Sequence, residues 1–225
     1  MSLNQTTSVA PPKAILFDWD NTLIDSWAVI HDAMNTTLNH FGMEAWTLDE
    51  TRNRVRKSMR DSFPTLFGDD WADAADVFYG RYHDIHVSRL NPLPGSADLL
   101  QTLHEQGIFL AVVSNKKGEY LRLEADHLGW GRYLSNLVGS NDAAQDKPAA
   151  APVHMALDGS GHEPAMNVWF VGDADIDLEC AINTGCTPIL VREMPPEPGE
   201  FDNHPPAKYL KNCLELKEFT NLCLE

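Results

Sequence analysis

The run Ala14-Ile15-Leu16-Phe17-Asp18-Trp19-Asp20-Asn21-Thr22 constrains this chain more than any other feature. A short apolar stretch ends abruptly in two carboxylates spaced i, i+2. The apolar part reads as a strand buried on both faces, as in a parallel sheet. Its C-terminal end is where open α/β sheets place their ligands. Two carboxylates this close repel each other and raise one pKa, unless a cation or a reaction makes use of them. An isolated Asp-x-Asp serves equally well as a helix cap in a solvated turn, so the rest of the chain has to decide.

Helical periods follow at once. Trp27, Ile30, Met34, Leu38 and Phe41 recur at three- and four-residue steps, with Gly42 as a stop. Thr47 and Glu50 form a capping-box pattern that opens a second helix through about Arg60. Trp71, Ala75, Phe78, Tyr82 and Ile85 mark a third. Nothing between Leu23 and Leu90 reads as a strand, which makes this block a helical insertion.

From Pro92 the pattern changes. Ser96 is expected to cap a helix carrying Leu99, Leu100 and Leu103. Buried strands are expected over 108–113, 137–139, 168–171 and 188–191, with helices over 119–128, 149–157, 176–183 and 214–222. Five prolines between Pro195 and Pro206 mark a long loop. Strands alternating with helices imply right-handed crossovers and an α/β fold, a Rossmann-like doubly wound parallel sheet. The division expected is a flexible leader over 1–12, a catalytic core from 13–25 and 91–225, and an inserted α-helical cap subdomain over 26–90.

Composition excludes several partners. The formal net charge of -16 opposes binding to nucleic acid or to an anionic membrane surface. No stretch approaches the ~20 apolar residues that span a bilayer, and the first residues lack a signal-peptide pattern. The four cysteines show no metal-binding spacing and read as reduced thiols of a cytoplasmic protein. The basic residues are few, yet Arg52, Arg54, Arg56, Lys57 and Arg60 fall close together.

Four elements line up along the chain: Asp18-x-Asp20-x-Thr22, Ser114-Asn115, Lys147-Pro148 and Gly172-Asp173 followed by Asp177. Their order, three of them directly after buried strands, resembles the four motifs of the haloacid dehalogenase superfamily, and the sequence as a whole is similar to its phosphoglycolate phosphatases. The resemblance implies a Mg²⁺-dependent phosphatase acting on a small phosphorylated metabolite. Asp18 would be the nucleophile, giving an aspartyl-phosphate, and Asp20 the general acid and base. Asp18, Asp20 and Asp173 would hold the cation, with Asp177 acting from behind them; Asp175 is a competitor for that last role. Thr22, Ser114, Asn115 and Lys147 would bind phosphoryl oxygens.

The second aspartate of the first motif argues against a dehalogenase or a phosphonate hydrolase, and Gly172 argues against a sugar phosphomutase. A phosphotransferase or a non-catalytic binding protein on the same scaffold remains the alternative. Asn21 stands where glycine is commonest in the family, and asparagine tolerates an unusual turn backbone. Within the cap, Arg52, Arg56 and Arg60 fall at i, i+4, i+8 on one helical face, where they either meet an anionic substrate tail or form a solvated stripe.

The nucleophile assignment is open to a direct test. Asp18→Asn should abolish turnover while the protein stays folded, because an amide cannot form the acyl phosphate and binds Mg²⁺ poorly. Survival of roughly a tenth of wild-type activity in the purified, folded variant would remove Asp18 from that role.

Overall fold

A computed structural model describes residues 9–55 and 57–225. Its strands are β1 (Ala14–Phe17), β2 (Phe109–Lys117), β3 (Asn136–Ser140), β4 (Val168–Gly172), β5 (Thr187–Val191) and β6 (Lys208–Leu210). They form one parallel sheet in the order β3-β2-β1-β4-β5-β6. The strand order reverses direction at β1, so the crevice beyond its C-terminal end is the place where a doubly wound sheet binds ligands.

Helices cover both faces. On one side, α5 (Ser96–Glu105), α6 (Gly118–His127) and α9 (Cys213–Leu224) pack Leu99, Leu121 and Leu216 onto Ile15, Phe17 and Trp169. On the other, α7 (Ala151–Leu157) and α8 (Asp175–Thr184) pack Val153 and Ala181 onto Leu16, Val113 and Phe170. All four residues of β1 are buried, which is why it reads as an unbroken apolar run rather than an alternating one. Phe17, Trp19, Trp169 and Phe170 are fully buried, each worth about 1.5–3 kcal/mol of hydrophobic stabilisation.

Between β1 and α5 lies a separate helical layer: α1 (Trp27–His40), α2 (Leu48–Arg54), α3 (Met59–Phe67) and α4 (Trp71–Ile85). It has its own apolar cluster, in which Ile30, Met34, Phe63 and Phe78 meet. Tyr120 of α6 reaches up from the sheet layer into the same cluster. The two connections to the sheet lie side by side, with Asp25 N donating to Asn91 O at 2.8 Å and Leu93 N to Leu23 O at 2.9 Å.

Several expectations need correction. The second helix does not run to Arg60: α2 ends at Arg54 and α3 begins at Met59, where Ser58 Oγ donates to Asp61 Oδ2 at 2.8 Å. The capping box at Thr47 and Glu50 is present. Ser96 does not cap α5. Gly95 occupies that position with φ 85, and Ser96 Oγ turns back to donate to Leu93 O. β6 has only three residues and is half-exposed, too short for a sequence pattern to carry. Residues 1–8 of the expected leader lie outside the described residues. Beyond them Ala10 O accepts the indole N–H of Trp169 at 2.9 Å, and Val9 packs against the core. That buried donor needs a partner, so 9–12 belong to the folded body.

The edge of β3 makes the tightest backbone approach near the site. A Cβ on Gly139 would lie 2.4 Å from Gly118 Cα and 2.6 Å from Lys116 O, both main-chain atoms. Gly139→Ala should therefore destabilise the protein by about 1–3 kcal/mol through overpacking. A urea titration that leaves the midpoint unmoved would show that the β2–α6 junction yields more easily than this.

Candidate active site

The carboxylate pair lies where the chain leaves β1 and enters a tight turn. Leu23 N and Ile24 N both donate to Trp19 O, at 3.0 and 3.1 Å. Asn21 sits in this turn at φ 63, a left-handed conformation that asparagine tolerates. Asp18 and Asp20 consequently reach the same pocket, of about 180 Å³.

Lys147 anchors the floor. Its ammonium donates to Asp18 Oδ1 at 2.6 Å and to Asp177 Oδ1 at 2.7 Å, and the whole side chain is buried. The second oxygen of Asp177 accepts Ala174 N at 3.1 Å, at the N-terminal end of α8. Gly172 makes that possible, because a Cβ there would lie 2.2 Å from Asp177 Cγ. Asn115 grips the Lys147 backbone from both sides: Lys147 N donates to its Oδ1 at 3.0 Å, and its Nδ2 donates to Lys147 O at 3.3 Å.

Burial pushes the Asp18 carboxyl up to about 6, against the lowering pull of Lys147, and the Asp177 and Asp20 charges add to the rise. Burial works to lower the pKa of Lys147, but Asp177 and Asp18 outweigh it and hold the ammonium above its usual range. Lys147 thus faces two carboxylates at hydrogen-bonding distance. Oxygens of Asp18, Asp173 and Asp177 all lie within 4.8 Å of one another, an all-oxygen set suited to a hard divalent ion.

Asp175, the competitor of Asp177, is exposed and pairs with His204 Nδ1 at 3.0 Å instead. Ser114 and Asn115 line the pocket, and Ser114 Oγ accepts Lys116 N at 3.2 Å. Thr22 does not line it. The turn buries its side chain, and among the described residues its hydroxyl has no hydrogen-bond partner.

The arginine stripe is not built. Because α2 and α3 are separate helices, Arg52 and Arg60 share no face. Arg52 is exposed beside Asp49, at 3.4 Å. Arg60 Nε reaches across to Asp146 Oδ2 at 2.5 Å, next to Lys147, and so ties α3 to the loop that carries the lysine. Arg56 lies outside the described residues. Arg54, Lys57 and Lys117 line the pocket in their place, beneath walls that include Trp27, Met59, Tyr79 and Tyr82.

A second buried cation was not singled out from sequence. Lys116 Nζ lies 2.5 Å from Asp20 Oδ1 and 3.0 Å from Glu124 Oε2. Two adjacent lysines just past Ser114-Asn115, in so acidic a chain, were the only signal. Glu124 offered none, since on α6 it looks like any helical glutamate.

A family model for haloacid dehalogenase-like hydrolases matches residues 15–191. The chain is 32% identical over 179 residues to the phosphoglycolate phosphatase of Aquifex aeolicus, covering 79% of this chain and 84% of that protein. With the phosphoglycolate phosphatase of Pseudomonas fluorescens it shares 29% over 187 residues, covering 77% and 67%. Among solved structures, a HAD-superfamily hydrolase from Ehrlichia chaffeensis is 30% identical with a TM-score of 0.68, covering 97% of this chain and all of that one (100%). A haloacid dehalogenase-like hydrolase from Streptococcus pneumoniae, 23% identical with a TM-score of 0.82 over 93% and 98% of the chains, shares the fold.

Removing the central cation should be costly. Lys147→Met leaves Asp18 and Asp177 buried side by side without their counter-charge, and breaking a buried pair in this way costs about 3–5 kcal/mol. Chemical denaturation at neutral pH measures the loss. A midpoint equal to wild type would mean that water, not Lys147, balances these carboxylates.

Proposed function

This chain belongs to the haloacid dehalogenase-like hydrolases and is a phosphoric monoester hydrolase, and from that premise we propose that it cleaves a small phosphorylated metabolite through an aspartyl-phosphate on Asp18. The observation that carries this reading is the convergence of Asp18, Asp20 and Lys147 on one pocket floor.

Asp18 attacks phosphorus as the ester P–O bond breaks, and Asp20 gives its proton to the departing alkoxide oxygen. Asp20 then takes a proton from water as the water oxygen attacks phosphorus, the acyl-phosphate bond breaks, and inorganic phosphate leaves with Asp18 restored. Lys147 lies within hydrogen-bonding distance of Asp18 and offsets the charge that gathers there. Ser114, at the end of the same floor, supplies a hydroxyl to the phosphoryl oxygens. Asn115 contributes by holding the Lys147 backbone in place.

Asp18 and Asp173 are the side chains that would hold Mg²⁺, with Asp20 contributing through its backbone carbonyl and Asp177, bonded to Lys147 and Ala174 N, acting from behind them. When bound, the ion would offset the charge of the phosphoryl group during its transfer.

The relatives named phosphoglycolate phosphatases make 2-phosphoglycolate the first compound to test. Arg54, Lys57 and Lys117, which line the pocket, are the candidates to receive a substrate carboxylate. They do not stand free: Arg54 bonds Glu50 at 3.0 Å, and Lys117 lies 2.7 Å from Glu119. An anionic substrate therefore competes with an existing surface pair at each of these two positions.

Phosphate release should be measured over a panel of phosphorylated metabolites with Mg²⁺ present, then after exhaustive EDTA treatment and dialysis. Stoichiometric inorganic phosphate that disappears with the cation and returns with Mg²⁺, but not with Ca²⁺, is the expected result. Undiminished activity after chelation would remove the metal from the mechanism. Turnover without phosphate release would make the chain a phosphotransferase.

A further inference from the structure

The general acid and base is not held by its own loop alone. Two donors, Ser26 Oγ and Lys116 Nζ, meet Asp20, and both fall on the same oxygen, Oδ1. Among the described residues that leaves the other oxygen, Oδ2, for the substrate. A carboxylate bonded on one oxygen only is oriented as well as paired.

Lys116 is fixed in turn from behind. Its side chain is 4% exposed, and its Nζ lies 3.0 Å from Glu124 Oε2 and 5.2 Å from the centre of the Tyr82 ring. Glu124 is buried and fully satisfied. Oε2 also accepts Trp19 Nε1 at 2.7 Å, while Oε1 accepts Tyr82 OH at 3.0 Å and His86 Nδ1 at 2.8 Å. These donors come from the turn after β1, from β2 and from α4. Three parts of the fold thus meet on one carboxylate.

A buried Glu–Lys pair gives little net stability compared with an apolar core of the same shape. A pair that also touches a reacting carboxylate has a second use. Working from the phosphatase reading above, we infer that Lys116 is a positioning residue for Asp20: bonded to Oδ1 and braced by Glu124, it aims Oδ2 at the leaving-group oxygen. The strand end favours this arrangement. The β2–β3 register shifts between Val113 and Lys117, and from this stretch Ser114, Asn115 and Lys116 all line the pocket. Lys116 does not transfer a proton itself.

Leaving groups separate this role from a structural one. An alkoxide departs only with a proton from Asp20, whereas p-nitrophenolate departs without one. The parameter kcat/KM covers only the steps up to leaving-group loss, so the later attack by water does not enter. The experiment compares wild type with Lys116→Met on 2-phosphoglycolate and glycerol 1-phosphate against p-nitrophenyl phosphate, in Mg²⁺.

Loss of a positioned general acid should lower kcat/KM for the alkyl phosphates by about a hundredfold, at the lower end of what such proton transfer contributes. The value for p-nitrophenyl phosphate should stay within about threefold of wild type. Lys116→Arg, which keeps the charge but shifts the donor, should show the same selective loss in smaller degree. It also serves as the test if Lys116→Met does not fold. Equal losses on both substrate types, or no loss on either, would overturn the inference while leaving the phosphatase reading intact. A wild-type enzyme inactive on every phosphomonoester would overturn both.

Discussion

Two buried ammonium groups hold the catalytic end of this protein together. Lys147 sits between Asp18 and Asp177, and Lys116 between Asp20 and Glu124. Each of the two motif aspartates is therefore paired with its own lysine, and each lysine with a second, deeper carboxylate. Removed from water singly, any of these charges would carry a desolvation penalty of several kcal/mol. Together they are tolerated because every cation meets two anions at hydrogen-bonding distance. The protein gains an acidic pocket floor that stays ordered in a chain of formal net charge -16.

This pairing explains much of the surrounding architecture. Asn115 grips the backbone of Lys147, Gly172 leaves room for Asp177, and Arg60 ties the helical layer to the loop that carries Lys147. Glu124 binds Tyr82 and His86 of the same layer. The helical insertion is thus connected to the sheet by charges on both sides of the pocket as well as by its two peptide connections. Any movement of that layer over the pocket would have to exchange these contacts, so its position and the geometry of Asp20 and Lys147 are coupled.

The pocket above the floor is of a different kind. Its walls include Trp27, Met59, Tyr79 and Tyr82, while its cations, Arg54, Lys57 and Lys117, stand among them. Floor and walls thus belong to different parts of the fold. The floor gathers Asp18, Ser114 and Asp173 from strand ends, Lys147 from the loop after β3 and Asp177 from α8. The walls belong mostly to helices and their connections, with Lys117 standing as the last residue of β2.

The sequence alone was enough to identify β1 and its carboxylates, the alternation that makes a parallel sheet, the helical insertion, and the motif set from Asp18 to Asp177. Those features are local: a buried strand must be apolar throughout, and a carboxylate at its end is visible in the next residue. Arg52 and Arg60 do not share the helical face expected of them, because helical spacing holds only along an unbroken helix, and α2 ends at Arg54 while α3 begins at Met59. Thr22 was read as a phosphate ligand, but it does not line the pocket. Lys116 and Glu124 could not be paired from sequence at all, since their partners lie far along the chain: Asp20 is 96 residues from Lys116, and Tyr82 is 42 from Glu124. Hydrophobic pattern decides which residues are buried. Which buried charge meets which is decided only when the sheet order and the packing of α4 and α6 bring them within about 3 Å of each other, the distance at which a hydrogen bond can offset desolvation.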